Sequence, residues 1–143
     1  MTLQDLLDDH DIRYFSADEL LSRTPGSRDK TVEPPRDLWL NIIPTLALAD
    51  VIRERLGGPV RVSVYRTPEY NEYKGNKPTS EHVQFRAADL WFNPIERLWD
   101  VAEEVMEEAH RRGMVTGFGI YPTFVHIDTN SAKGKIRRRW GSR

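Results

Sequence analysis

The sequence predicts an α+β fold in which a small, mainly antiparallel sheet is flanked by helices. Three observations lead there. Two long stretches, 36–56 and 95–111, carry apolar residues at helical spacing. Four short runs, 60–65, 86–92, 115–121 and 124–128, have the length and composition of strands. The last two are joined by a tight turn at Pro122-Thr123, a connection only antiparallel neighbours can use.

The elements follow in order. Leu3, Leu6 and Leu7 space a short amphipathic helix over 2–9. Ser16-Ala17-Asp18-Glu19 fits a capping box that opens a second short helix through Leu21. Thr24-Pro25-Gly26-Ser27-Arg28-Asp29-Lys30 is polar and turn-rich, and is expected to be an exposed loop. After Pro34-Pro35 comes the first long helical stretch, with Leu38, Ile42, Ile43, Leu46, Leu48, Val51, Ile52 and Leu56 as core candidates. Pro44 should kink or restart it, and Gly57-Gly58 ends it. Val60 to Tyr65 alternates as a half-buried strand does. Thr67 to Tyr73 suits a short helix after Pro68, and 74–79 a loop. Asn93-Pro94 opens the second long helix, with Ile95, Leu98, Val101, Val105 and Met106 facing inward, and Gly113 closes it. The segment 133–143 is basic, holds Trp140, and is expected to be solvated.

At 143 residues the expectation is one domain, 1–143, with 1–33 a helical and loop extension and 34–140 the core. Hydrophobic residues at 38% against 30% charged place it with globular rather than disordered chains. A net charge of -1 argues against a strongly basic nucleic-acid binder. Nucleic acid is therefore not an expected partner, and a monomer is expected. With no cysteine, a metal site must use His, Asp and Glu. The amino terminus is acidic, with no apolar stretch of signal-peptide length, and no segment approaches a membrane span. The expected location is the cytoplasm as synthesised, with release as the route to any outside target.

The residues that carry chemistry are His82 and Asp89, in Ser80-Glu81-His82-Val83-Gln84-Phe85-Arg86-Ala87-Ala88-Asp89, and His126, in Phe124-Val125-His126-Ile127-Asp128-Thr129. Two imidazoles and a carboxylate make a three-ligand set that suits Zn2+ with one coordination position left open. Taken alone, a His and an Asp at this spacing arise readily by chance, and a surface His with a solvated Asp is the plainer account. His126 and Asp128 share one strand face.

Several blocks together resemble the zinc D-Ala-D-Ala carboxypeptidase and murein endopeptidase family, closest to its small phage-lysin-like branch. They are Val62-Ser63-Val64-Tyr65-Arg66-Thr67-Pro68-Glu69-Tyr70-Asn71, Ser80-x-His82, Ala87-Ala88-Asp89, Gly117-Phe118-Gly119-Ile120-Tyr121-Pro122 and Phe124-Val125-His126-Ile127-Asp128-Thr129. The resemblance implies a fold shared with the Hedgehog amino-terminal domain. It implies metal ligands at His82, Asp89 and His126, an Arg66 that holds substrate or its developing charge, and a Ser80 that orients the site. Tyr121 is a further candidate for substrate contact. The implied activity is hydrolysis of peptidoglycan stem or cross-link peptides at D-amino-acid bonds by zinc-activated water, with peptidoglycan peptides as partners.

Three departures from the family pattern are visible. Val64 stands where a Gly commonly precedes the Tyr-Arg pair. Gln84-Phe85 fill a stretch where a Gly commonly follows the first His. Thr123 stands where many members carry an acidic general base. Asp128 is then the first candidate base and Glu81 the second, with Asp128 equally placed to orient an imidazole. Two alternatives stand beside the peptidase. One is a non-catalytic zinc-containing peptide-binding module of the same fold. The other is a polyanion binder using Lys133, Lys135, Arg137, Arg138 and Arg139. For Arg66, the plainer role is a surface ion pair with Glu69.

Overall fold

A computed structural model describes residues 1–143, the Arg28 side chain excepted. The fold is α+β, with two sheets and flanking helices. Helix α1 (Leu3–Asp9) starts at a reciprocal cap: Thr2 Oγ1 accepts from the Asp5 amide and the Asp5 carboxylate accepts from the Thr2 amide. A 3-10 turn, Ala17–Leu20, follows the Ser16–Glu19 box.

The expected loop at 24–30 is instead part of a two-stranded hairpin, β1 (Ser22–Thr24) with β2 (Ser27–Val32). Pro25-Gly26 makes the turn, Gly26 taking φ 74°. These strands show no apolar alternation because neither bears a continuous buried face. The period-2 signal that marks a strand was therefore absent.

Pro44 restarts the first long stretch as expected. Residues Arg36–Ile42 form a 3-10 helix, and α2 (Ile43–Leu56) begins with the proline in its first turn, where no amide donor is needed. Strand β3 (Arg61–Ser63), helix α3 (Pro68–Tyr73, capped by Thr67), strand β4 (Ala87–Trp91) and helix α4 (Ile95–Arg111) lie where the sequence places them. Strands β5 (Thr116–Ile120) and β6 (Val125–Thr129) follow. The supposedly solvated tail contributes a seventh strand, β7 (Arg137–Trp140).

The main sheet runs β3-β4-β6-β5-β7, antiparallel except for the parallel β5–β7 pair. One face carries Ala88, Leu90, Phe118, Val125 and Ile127, all essentially inaccessible, against Leu46 and Ile52 of α2 and Leu98 and Met106 of α4. Truncating one of these large side chains to Ala would cost about 2–5 kcal/mol. Leu3, Leu6, Leu7 and Leu20 belong to the same buried cluster, so the amino-terminal segment is packed onto the core. With one face committed to helices, the pleat sends Asp89, His126, Asp128 and their neighbours to the other. Among the described residues, no helix is long and apolar enough to cross a membrane.

Candidate metal centre

Register assembles the site on the open sheet face. Asp89 on β4 pairs with His126 on β6, His126 with Gly119 on β5, and Gly119 with Trp140 on β7. A parallel row runs Ala87, Asp128, Gly117, Arg138. His82 comes from the turn before β4. That turn closes as a helix end does: the Phe85 amide donates to the His82 carbonyl at 3.2 Å and the Arg86 amide to the Glu81 carbonyl at 3.0 Å. This closure places its penultimate residue in the left-handed region, and Phe85 has φ 56°. The family's glycine in this stretch suits that conformation; here a fully buried phenylalanine adopts it.

The candidate ligand atoms of His82, Asp89 and His126 all lie within 4.8 Å of one another. Asp89 Oδ1 is 3.2 Å from His82 Nε2 and 3.0 Å from His126 Nδ1. Ligands at about 2.0–2.2 Å from a tetrahedral zinc would stand roughly 3.3–3.6 Å apart, slightly beyond these two separations, so small side-chain shifts admit the ion. The hydrogen bonds behind the rings make the fit chemical as well. His82 Nδ1 lies 2.6 Å from the Val64 carbonyl, which can only accept, so Nδ1 carries the proton. Its Nε2 then turns a lone pair toward a carboxylate oxygen and is buried without a hydrogen-bond partner. His126 Nε2 lies 2.8 Å from Asp128 Oδ2 and donates to it, which leaves Nδ1 to face Asp89. Two lone pairs converging on a carboxylate repel one another unless a cation lies between them.

At His126 a proton can also serve. Burial alone would lower its pKa, but hydrogen bonds to Asp128 and Asp89 and their charges outweigh burial and raise it to about 9. His82 is lowered, because burial outweighs the pull of Asp89. Burial pushes Asp89 up, yet the two imidazoles at 3.0 and 3.2 Å from its Oδ1 hold it far below the usual carboxylate range. A divalent ion satisfies both rings at once; a proton on His126 satisfies one.

The other candidates sit around this trio, in a cleft of about 310 Å³. Arg66 donates to Asp89 Oδ2 at 2.9 Å, so its plainer pairing with Glu69 gives way to a nearly buried pair with the carboxylate of a candidate ligand. Ser80 Oγ accepts from the His82 amide at 3.2 Å. Tyr121 stacks on Phe124 at 4.4 Å, and its hydroxyl accepts from Trp140 Nε1 at 2.9 Å. The two candidate bases differ. Asp128 is wholly inaccessible, with Oδ2 held by His126 and Oδ1 by Arg138. Glu81 is also buried, but only its Oε1 is bound, by Ser131 Oγ at 2.8 Å. Its Oε2 has no hydrogen-bond partner and sits 3.8 Å from the Arg86 guanidinium. Thr123 lies elsewhere, lining a second groove with Trp91 and Pro122.

Sequence reasoning missed Arg138 and Trp140, which reach the cleft from β7. The expectation of a solvated basic tail is corrected: Arg137 and Arg139 converge on Glu107, and Arg138 turns inward to Asp128. This also engages in ion pairs three of the five cations on which polyanion binding would rely, with Arg137 still exposed. The available signal was the pair of glycines in β5. A Cβ on Gly117 would stand 2.6 Å from the Arg138 guanidinium and from both Asp128 oxygens, and one on Gly119 would collide with the Trp140 indole. Two bare positions on one strand face imply that large groups cross it.

A family model described as Peptidase M15 matches residues 13–128, a span that contains Arg66, Ser80, Glu81, His82, Asp89, His126 and Asp128 and ends before Arg138 and Trp140. No curated protein and no solved structure matches the chain. With most of its length covered, the chain belongs to the peptidase M15 family, a family of metallopeptidases.

Proposed function

We propose that the protein is a zinc-dependent peptidase that hydrolyses peptidoglycan stem or cross-link peptides at bonds involving D-amino acids. The observation that carries this reading is the convergence of His82 Nε2, His126 Nδ1 and Asp89 Oδ1, each ring oriented from behind by an acceptor. Family membership supports peptide hydrolysis. The peptidoglycan target rests on the motif resemblance to D-Ala-D-Ala carboxypeptidases and murein endopeptidases.

In this reading His82, Asp89 and His126 hold the zinc, whose bound chemistry is polarisation of the scissile carbonyl and a water pKa lowered to about 7. Glu81, with one oxygen uncommitted, accepts a proton from water and returns it to the leaving amine. Asp128, with both oxygens engaged, keeps His126 in its Nε2–H form. Arg66 holds Asp89 with one arm of its fork and offers the remainder to a substrate carboxylate or oxyanion. Ser80 steadies the His82 turn, and Tyr121 forms part of the wall against which the peptide lies.

Mass spectrometry of muropeptides incubated with the protein tests the reading. Products should appear with zinc, vanish with a chelator, and be absent for His82→Ala; their masses give the bond cleaved. Unchanged masses throughout would defeat it. The absence of an acidic residue at Thr123 favours a second reading, a zinc-containing module that binds such peptides without cutting them. Saturable binding without products would select it.

A further inference from the structure

We propose that Arg138 is a positioning residue of the metal centre: acting through Asp128, it holds the His126 ring so that Nδ1 points at the ion. The proposal rests on the metal reading above and extends the centre to a strand outside the family match. Three observations carry it. Register sets Arg138 beside Gly117 and Gly117 beside Asp128, so the guanidinium reaches the carboxylate across a strand with no side chain in the way. Any Cβ at Gly117 would collide with both partners. Asp128 is wholly inaccessible, and Arg138 is the cation paired with it.

The physical argument follows from burial. A carboxylate with no solvent needs donors on both oxygens. His126 Nε2–H supplies one and Arg138 the other. Without Arg138, Asp128 is a half-satisfied buried anion. It then gains by rotating toward water, and that movement loosens its grip on Nε2–H. The imidazole can then turn, or exchange tautomers and present N–H rather than a lone pair to the ion. Trp140, with its ring centroid 5.2 Å from that of His126, packs on the same imidazole but makes no hydrogen bond to it.

The test uses the full chain and zinc alone, with affinity measured by competition against a chromophoric chelator. Arg138→Met is expected to weaken zinc binding about 10–100-fold, the range seen when a partner behind a metal ligand is removed. Arg138→Lys, which keeps the charge but loses the fork, should fall between Met and wild type. In an Asp128→Asn background, Arg138→Met should add no further loss, since its route to His126 is already cut. With zinc bound, ring-nitrogen NMR shifts of His126 should report a mixture of ring orientations or tautomers in the Arg138 variants and a single state in wild type. If Arg138→Met does not fold, Arg138→Lys carries the test, and wild-type affinity there overturns the proposal. A full additional loss in the Asp128→Asn background also overturns it. A wild-type chain that holds no zinc would overturn the metal reading and this proposal together.

Discussion

Phe85 poses a contest between backbone strain and core packing, and the structure gives the size of each. It closes the His82 turn with φ 56°, where a residue bearing a Cβ suffers about 1–2 kcal/mol of steric conflict. Its ring is fully buried and meets Tyr65 edge-on, centroids 5.9 Å apart. Deleting such a ring costs about 3–5 kcal/mol, more than the strain. Phe85→Ala and Phe85→Gly should therefore both destabilise. They lose the same ring, so the difference between them isolates the backbone. In regular structure Gly is less stable than Ala by about 0.5–1 kcal/mol. Here the relief of left-handed strain reverses that order and should leave Gly ahead by roughly 1 kcal/mol. Urea unfolding followed by tryptophan fluorescence, with chelator present so that metal does not contribute, gives the midpoints. The expected order is wild type, then Gly, then Ala. Ala at least as stable as Gly would refute the left-handed closure, and either variant matching wild type would refute the packing argument.

Four further outcomes are expected. His82→Ala and His126→Ala should each abolish zinc binding and peptide cleavage while circular dichroism shows the fold retained; full activity in either, after chelation controls, would overturn the ligand assignment. Glu81→Gln should lower turnover about 10²–10⁴-fold with zinc retained, as loss of a general base does. Asp128→Asn should instead weaken zinc binding about 10–100-fold and recover activity in excess zinc; the opposite pattern would exchange their roles. Hydrogen bonds from Arg137, working against burial and joined by Arg139, hold Glu107 down to about 2 from 4.5. A folded-state pKa below the unfolded one favours the folded state once the group is ionised. This contribution is complete above about pH 4.5 and disappears as pH falls toward 2. Acid titration of stability should therefore be shallower across that window for Glu107→Gln.

The legible parts of this chain share one property, a physical signal local in sequence. The long helices and strands β3 to β6 were readable because an apolar face repeats at the period of the element that buries it, and the restart at Pro44 because proline brings no amide donor to a helix interior. The hairpin at 22–32 and strand β7 were not, because their side chains are mainly polar and the pleat leaves no apolar stripe. Arg137, Arg138 and Arg139 read as one basic run, yet alternation sends Arg138 to Asp128 in the cleft and its neighbours to Glu107.

By itself the sequence determined the α+β class, the order of most elements and the identity of His82, Asp89 and His126 as a set. The first two follow from periodicity and turn residues, and the third from the family resemblance that several motif blocks carry together. Only the tertiary structure decided which nitrogen of each ring faces inward, which carboxylate keeps an uncommitted oxygen, and that Arg138 and Trp140 belong to the site. Each of those depends on a partner brought close by strand register, such as the Val64 carbonyl behind His82 or Asp128 behind His126. A hydrogen bond is specified by where two groups meet in space, and no local pattern of residue types records that meeting.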